Sequence, residues 1–185
     1  MKNDQKKNSR ITILTMTKVA LMAAVLCVLA PFSIPLGPVP ISLATFVLYL
    51  AVIVLGGKKA TIVCLMYLLI GFVGVPVFSG FSGGAVKVLG PTGGYFLGYL
   101  LLTLIAGWFV DKFPKKRELC LLGFFLGTMA CYVVGTIWLV FQMQMNFKSA
   151  FMIGVVPFLP GDVIKMIMAL WIGNTIRRQV NKVGY

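Results

Sequence analysis

Pro157-Phe158-Leu159-Pro160-Gly161-Asp162-Val163-Ile164-Lys165 heads the last apolar segment of this chain, and the way it is read decides the fold. A proline in the first turn of a helix gives up only an amide that has no intrahelical partner, so Pro160 marks a helix start, with Met166 to Ile176 as the continuation. Residues three apart share a helix face, which sets Asp162 and Lys165 side by side in a segment otherwise made of Ile, Met, Leu, Ala and Trp. Two readings fit such a pair. It is either a mutually neutralised ion pair near a membrane surface or the two-ended grip of a site for a polar ligand.

The surrounding chain is a membrane protein. Of its 185 residues 59% are apolar, and the mean hydropathy is +0.98, which is too hydrophobic for a soluble domain of that length. The formal charge of +13, from 17 Lys and Arg against 4 Asp and Glu, would suggest nucleic acid in a soluble protein. Here most of the basic residues lie in short runs between apolar segments, where they set topology and meet anionic lipid; no nucleic-acid partner is expected. Cys27, Cys64, Cys120 and Cys131 fall in or at the edge of apolar segments, with no pair spaced as metal ligands, and there is no histidine. An enzyme would lack parts, and neither a metal nor another cofactor is expected in this chain.

Six spans follow as a single membrane domain over 1–185, at about 11–32, 41–55, 60–73, 95–110, 119–141 and 151–176. The first resembles a secretory signal. Its one candidate cleavage point, after Ala30, is followed by Pro31, so the segment reads as an uncleaved helix. It carries Ala20 and Ala24 one turn apart with Ala23 beside them, a spacing that permits close helix approach and also arises by chance. Loop 33–40 holds three prolines and a glycine and cannot be helical. Loop 74–94 is rich in glycine yet apolar; the stretch Val73 to Gly98 has eight of the 20 glycines, with Phe78 and Phe81 among them. Irregular backbone at membrane depth is tolerated where it lines a cavity, so this stretch reads as a lid over a ligand. Down the fifth span Gly123, Gly127, Cys131 and Gly135 recur every fourth residue, a stripe for packing on a neighbouring helix.

An even number of spans places both termini together. The basic amino terminus, Lys58-Lys59, the run from Lys112 to Arg117 and the carboxyl tail share one face, which the positive-inside rule makes cytoplasmic. Both irregular loops and the Asp162/Lys165 turn then meet at the outer face. A pocket there, with hydroxyls from Ser79, Ser82, Thr92 and Tyr95 and walls from Phe78, Phe81 and Tyr95, suits a small amphipathic solute bearing N–H donors and a negative group. No filter-like ring suggests a channel, and no nucleotide motif suggests self-powering. A self-sufficient secondary carrier and a membrane enzyme are the readings from other classes.

Four ordered motifs carry a family resemblance. Gly37-Pro38-Val39-Pro40-Ile41-Ser42-Leu43, Gly74-Val75-Pro76-Val77-Phe78 leading to Ser82-Gly83-Gly84, Gly90-Pro91-Thr92-Gly93-Gly94-Tyr95, and the Pro157 to Lys165 stretch together resemble the BioY family, the biotin-binding S components of energy-coupling factor (ECF) vitamin transporters. The resemblance covers the chain from the first span to the sixth. It implies an all-α fold of six transmembrane helices with both termini cytoplasmic, in a bacterial plasma membrane. It further implies a biotin site at Asp162, Lys165, Ser82, Gly83, Gly84 and Tyr95, with Phe78 as a wall and Lys165 or Lys87 facing the carboxylate. Ala20, Ala23 and Ala24 become the ridge where a transmembrane coupling subunit docks, and two ATPase partners use the ATP. Another vitamin is the nearest rival substrate. Family members often carry Gln where this chain has Ala44, so any polar contact from there is absent or falls to Thr45 or Ser42.

Overall fold

The structure is a computed structural model describing residues 2–35 and 37–182, with side chains from residue 13 to residue 180. Met1, Leu36 and Val183 to Tyr185 of the expected 1–185 domain, and the side chains of Lys2, Lys6, Lys7, Arg10 and Lys182 that enter the charge reading, lie outside what is described.

Among the described residues eight helices carry nearly all of the regular structure: α1 (Lys2–Leu29), α2 (Ala44–Leu55), α3 (Gly57–Phe72), α4 (Ala85–Leu89), α5 (Gly93–Lys112), α6 (Arg117–Met143), α7 (Phe147–Gly154) and α8 (Leu159–Lys182). Between α1 and α2 the prolines prevent helix, and the chain instead makes a hairpin of β1 (Ser33–Ile34) and β2 (Ile41–Ser42), with Ser33 opposite Ser42. By length and composition α5 and α6 are each able to cross a membrane alone; α7 and α8, bent by 42° at their break, make a third candidate when taken as one span. The bend falls at Val155 to Phe158, and Pro160 sits in the first turn of α8 as its missing amide requires. The expected sixth span is thus two helices, and the expected lid contains the short α4.

Helix α2 is the axis. Val47 to Val54 are all buried, and the helix packs on α1, α3, α5 and α8. A helix apolar on every side has no solvent face to offer, so its neighbours surround it. The glycine stripe of α6 meets α5: Gly123 lies against Phe109, Gly127 against Leu102, Cys131 against Gly98 and Gly135 against the Tyr95 ring. At one end of the bundle Gly57 of α3 and Gly107 of α5 touch backbone to backbone, and the Gly57 N–H donates to Asp111 Oδ2 at 3.0 Å. An acidic side chain there caps the exposed amides at the start of α3. At the opposite end the Gly80 N–H donates to the Pro31 carbonyl at 2.9 Å, and Trp138 Nε1 to the Gly90 carbonyl at 2.9 Å, tying the glycine-rich segment to α6 and to the turn after α1.

Because a side chain at Gly107 has nowhere to go, Gly107→Val is expected to lower unfolding free energy by roughly 1–3 kcal/mol. Gly161→Ala, where an added methyl meets nothing within 4 Å, is expected to be neutral or stabilising. Thermal unfolding of the two purified variants compares them directly.

Candidate functional site

Three helices bring their polar side chains to one point beneath the hairpin. Asp162, in the first turn of α8 and 3% exposed, is favoured there by the positive end of the helix. Its Oδ1 accepts from Lys165 Nζ at 3.0 Å and from the Thr45 hydroxyl of α2 at 3.1 Å; its Oδ2 accepts from the Tyr132 hydroxyl of α6 at 2.6 Å. Lys165 Nζ also donates to the Ser42 carbonyl of β2 at 2.8 Å and to Thr45 Oγ1 at 3.1 Å. An ammonium has three protons, and all three are used. A carboxylate has about four acceptor positions, so Asp162 keeps one, on Oδ2. Beneath them Tyr49 and Thr128 lie 2.6 Å apart, and because Thr128 donates to the Phe124 carbonyl, the proton between them belongs to Tyr49.

This cluster lines a cavity of about 40 Å3 whose apolar walls include Phe96, Tyr99, Leu102 and Phe158. Pockets that hold small molecules measure roughly 300 Å3 or more, so the walls must part to admit one. Immediately outside lies a groove of about 590 Å3 between the hairpin and Phe81, lined by Phe32, Ile34, Ile41 and Leu43. Ser42 and Lys165 line both spaces, so the bond between them is part of the partition.

Of the residues singled out from sequence, Asp162, Lys165 and Tyr95 line the inner cavity, together with Ser79 and Thr92; the Tyr95 hydroxyl donates to the Gly154 carbonyl at 2.9 Å. Phe78, Ser82, Gly83, Gly84 and Lys87 do not line it. Phe78 is fully buried, stacked on Phe96 at 4.5 Å and edge-on to Tyr67 at 5.3 Å, so it anchors the lid in the core behind the wall. Ser82 closes the turn that holds Phe78, its N–H and carbonyl bonding the Phe78 backbone. Gly84, with φ at +90°, takes a conformation that suits glycine, and its N–H fastens the lid to the Gly71 carbonyl at 2.7 Å. Gly83 lies against the backbone of Val75, where a side chain has no room. Lys87 is the third of the five residues of α4, partly exposed and outside the cavity lining. Ala20 and Ala24 are exposed on α1, whereas Ala23 is 2% exposed and packs inward, so the three do not share one outward face.

Buried Ala44 offers no polar group, and beside it the Thr45 hydroxyl bonds to Asp162. Tyr132 and Thr128 had not been singled out, yet Thr128, Tyr132 and Thr136 recur every fourth residue of α6, a polar stripe beside the glycine one. Buried hydroxyls in an apolar span need partners, and that spacing was the signal.

A helical membrane protein with an enclosed, charge-paired polar site under a hairpin and a lid is the class these features define. The profile described as the BioY family matches residues 3–182. Biotin transporter BioY2 of Lactococcus lactis subsp. cremoris is 34% identical over 167 residues, covering 90% of this chain and 92% of that protein. Probable biotin transporter BioY of Pyrococcus horikoshii is 38% identical over 159 residues, covering 86% and 93%. Among solved structures, that of the S-component for biotin from an ECF-type ABC transporter superposes with a TM-score of 0.82 at 33% identity, over 96% of this chain and 95% of that one. The chain belongs to the BioY family.

Tyr132→Phe is expected to lower unfolding free energy by ~1 kcal/mol, as one hydrogen bond to the buried carboxylate goes. Unfolding in mixed micelles, with Tyr132→Phe and Thr45→Val compared with wild type, measures it; no change in either would mean Asp162 is held by Lys165 alone.

Proposed function

We propose that this chain is the substrate-binding S component of an ATP-driven ECF transporter and captures biotin from outside the cell. The observation that carries the reading is the buried Asp162, with one acceptor position left, beside a Lys165 whose third proton rests on a backbone carbonyl of the hairpin. Biotin carries both complements. A ureido N–H takes the open position on Asp162 Oδ2, and the valerate carboxylate replaces the Ser42 carbonyl at Lys165, exchanging a neutral acceptor for a charged one. The fused rings lie against Phe96 and Tyr99 once the partition opens. Lys87 is left outside this arrangement.

Six spans underlie the proposal: α1, α2, α3, α5, α6 and the bent pair α7–α8, with both termini in the cytoplasm and the lid and hairpin outside. Its support is the distribution of charge. Lys58, Lys59, Lys112, Lys115, Lys116, Arg177 and Arg178 fall at the end of the bundle away from the hairpin. The short helices α2 and α3 cross with the help of their flanks and of the protein around them. The membrane is the bacterial plasma membrane. The chain binds no cofactor of its own; a transmembrane coupling subunit meets the outward Ala20/Ala24 face of α1, and two ATPase subunits supply the energy. Capture ends with lid and hairpin closing over the vitamin, and ATP acting on the partners reorients the loaded subunit.

Calorimetry of the purified chain with biotin tests the substrate. Binding is expected in wild type and at least a hundredfold weaker in Asp162→Ala, the loss of a charge-assisted hydrogen bond with its partner left buried, about 3 kcal/mol; Lys87→Gln is expected to leave affinity unchanged. No heat in a folded protein would assign the site to another vitamin. Ala20→Trp with Ala24→Trp is expected to spare biotin binding and abolish ATP-driven uptake in the assembled complex, and uptake that survived would move the docking face elsewhere.

A further inference from the structure

A second cavity lies at the other end of the bundle, outside the biotin site. The start of α6 and the end of α8 flank a cleft of about 280 Å3 lined by Arg117, Leu170, Trp171, Asn174, Thr175 and Arg178. Two guanidinium groups from separate helices border one cavity, and its lining contains no carboxylate. Among the described residues the one salt bridge is Lys165 with Asp162, so neither arginine is paired with an acid, not even with neighbouring Glu118. Both arginines are exposed, and two like charges bordering one cleft raise the local potential for an anion. The other polar groups are turned to their own helix: Asn174 Nδ2 donates to the Leu170 carbonyl at 2.8 Å and the Thr175 hydroxyl to the Trp171 carbonyl at 3.2 Å. Anion recognition is left to the arginine forks, whose planar donors match phosphate oxygens.

The cleft is also graded along its length. Leu170 and Trp171 form its apolar part, and Arg178 lies about 10 Å further along α8. Trp171 is 79% exposed. Trp108 of α5 belongs to the same basic end, with Lys112 Nζ 4.6 Å from its ring, which is the pairing of indole and cation found where acyl chains give way to headgroups. A soluble anion has no use for the apolar floor. A phospholipid uses both, phosphate at the arginines and glycerol and acyl carbons along Trp171 and Leu170.

We infer that this cleft is a binding site for the phosphodiester headgroup of an anionic membrane phospholipid, held between Arg117 and Arg178. From the transport reading it takes only that α6 and α8 cross the bilayer, and it stands whichever solute the outer cavity carries.

Native mass spectrometry of the full chain, released from micelles doped with phosphatidylglycerol or phosphatidylcholine, tests it. Wild type is expected to retain one phosphatidylglycerol in preference to phosphatidylcholine, and Arg117→Gln/Arg178→Gln to hold it at least about tenfold more weakly. Lys58→Gln/Lys59→Gln, which removes as much charge from the same end but outside the cleft, is expected to retain it. Circular dichroism and gel filtration check each variant's fold; should the glutamine pair not fold, Arg117→Lys/Arg178→Lys keeps the charge, loses the forks and is expected to weaken retention severalfold. No preference for the anionic lipid, or equal loss in the Lys58/Lys59 variant, overturns the site. Displacement of the lipid by inorganic phosphate at equal concentration would make the ligand a soluble anion and overturn the lipid assignment.

Discussion

Burying a carboxylate beside an ammonium inside an apolar bundle is tolerable only if nearly every lone pair and proton finds a partner, and this requirement orders the molecule. Asp162 and Lys165 come from a single turn of α8, but their partners do not: Thr45 is on α2, Tyr132 on α6, and the Ser42 carbonyl on the hairpin. The pair therefore fixes where three helices and a loop meet. Helix α2, buried on all sides, brings Thr45 and Tyr49 to that point, while the α6 glycine stripe lets α5 come close enough for Tyr95 and Tyr99 to complete the walls.

The same requirement explains which parts were legible in the sequence. Two ionisable residues one turn apart in an apolar span are conspicuous because almost nothing else there is polar, and prolines and glycines announce the hairpin and lid because they limit what backbone can do. Helix boundaries depart from hydropathy: α1 begins at Lys2 and stops at Leu29 where 11–32 is expected, α2 begins at Ala44 because the hairpin takes Ile41 and Ser42, α5 and α6 run a few residues beyond the apolar segments at both ends, and the last span is broken into α7 and α8.

What stayed hidden depends on rotation and on turns. The spacing of Ala20, Ala23 and Ala24 names a ridge but not the angle of α1 about its axis, so it does not tell that Ala23 faces the core. Phe78, in a glycine-rich loop, is equally compatible with a cavity wall and with a core anchor. The turn closed by Ser82 decides, swinging the ring onto Tyr67 and Phe96. Lys87 stands outside the cavity lining, midway along the five-residue helix that the lid forms. Tyr132 was readable in principle, because hydroxyls at 128, 132 and 136 share one face of α6, but the glycine stripe alongside is the louder pattern.

The narrowness of the inner cavity bears on leakage. A membrane protein that alternates its exposure risks ferrying water, protons or hydrated ions each time it turns without cargo. In this site the cation is satisfied by internal acceptors and neutralised by its neighbour, and about 40 Å3 gives room for a few water molecules, fewer than a hydrated ion carries. The paired charges therefore leave the site electrically neutral. The bonds that a solute must displace to enter are the ones that leave Lys165 no free proton to offer a passing anion.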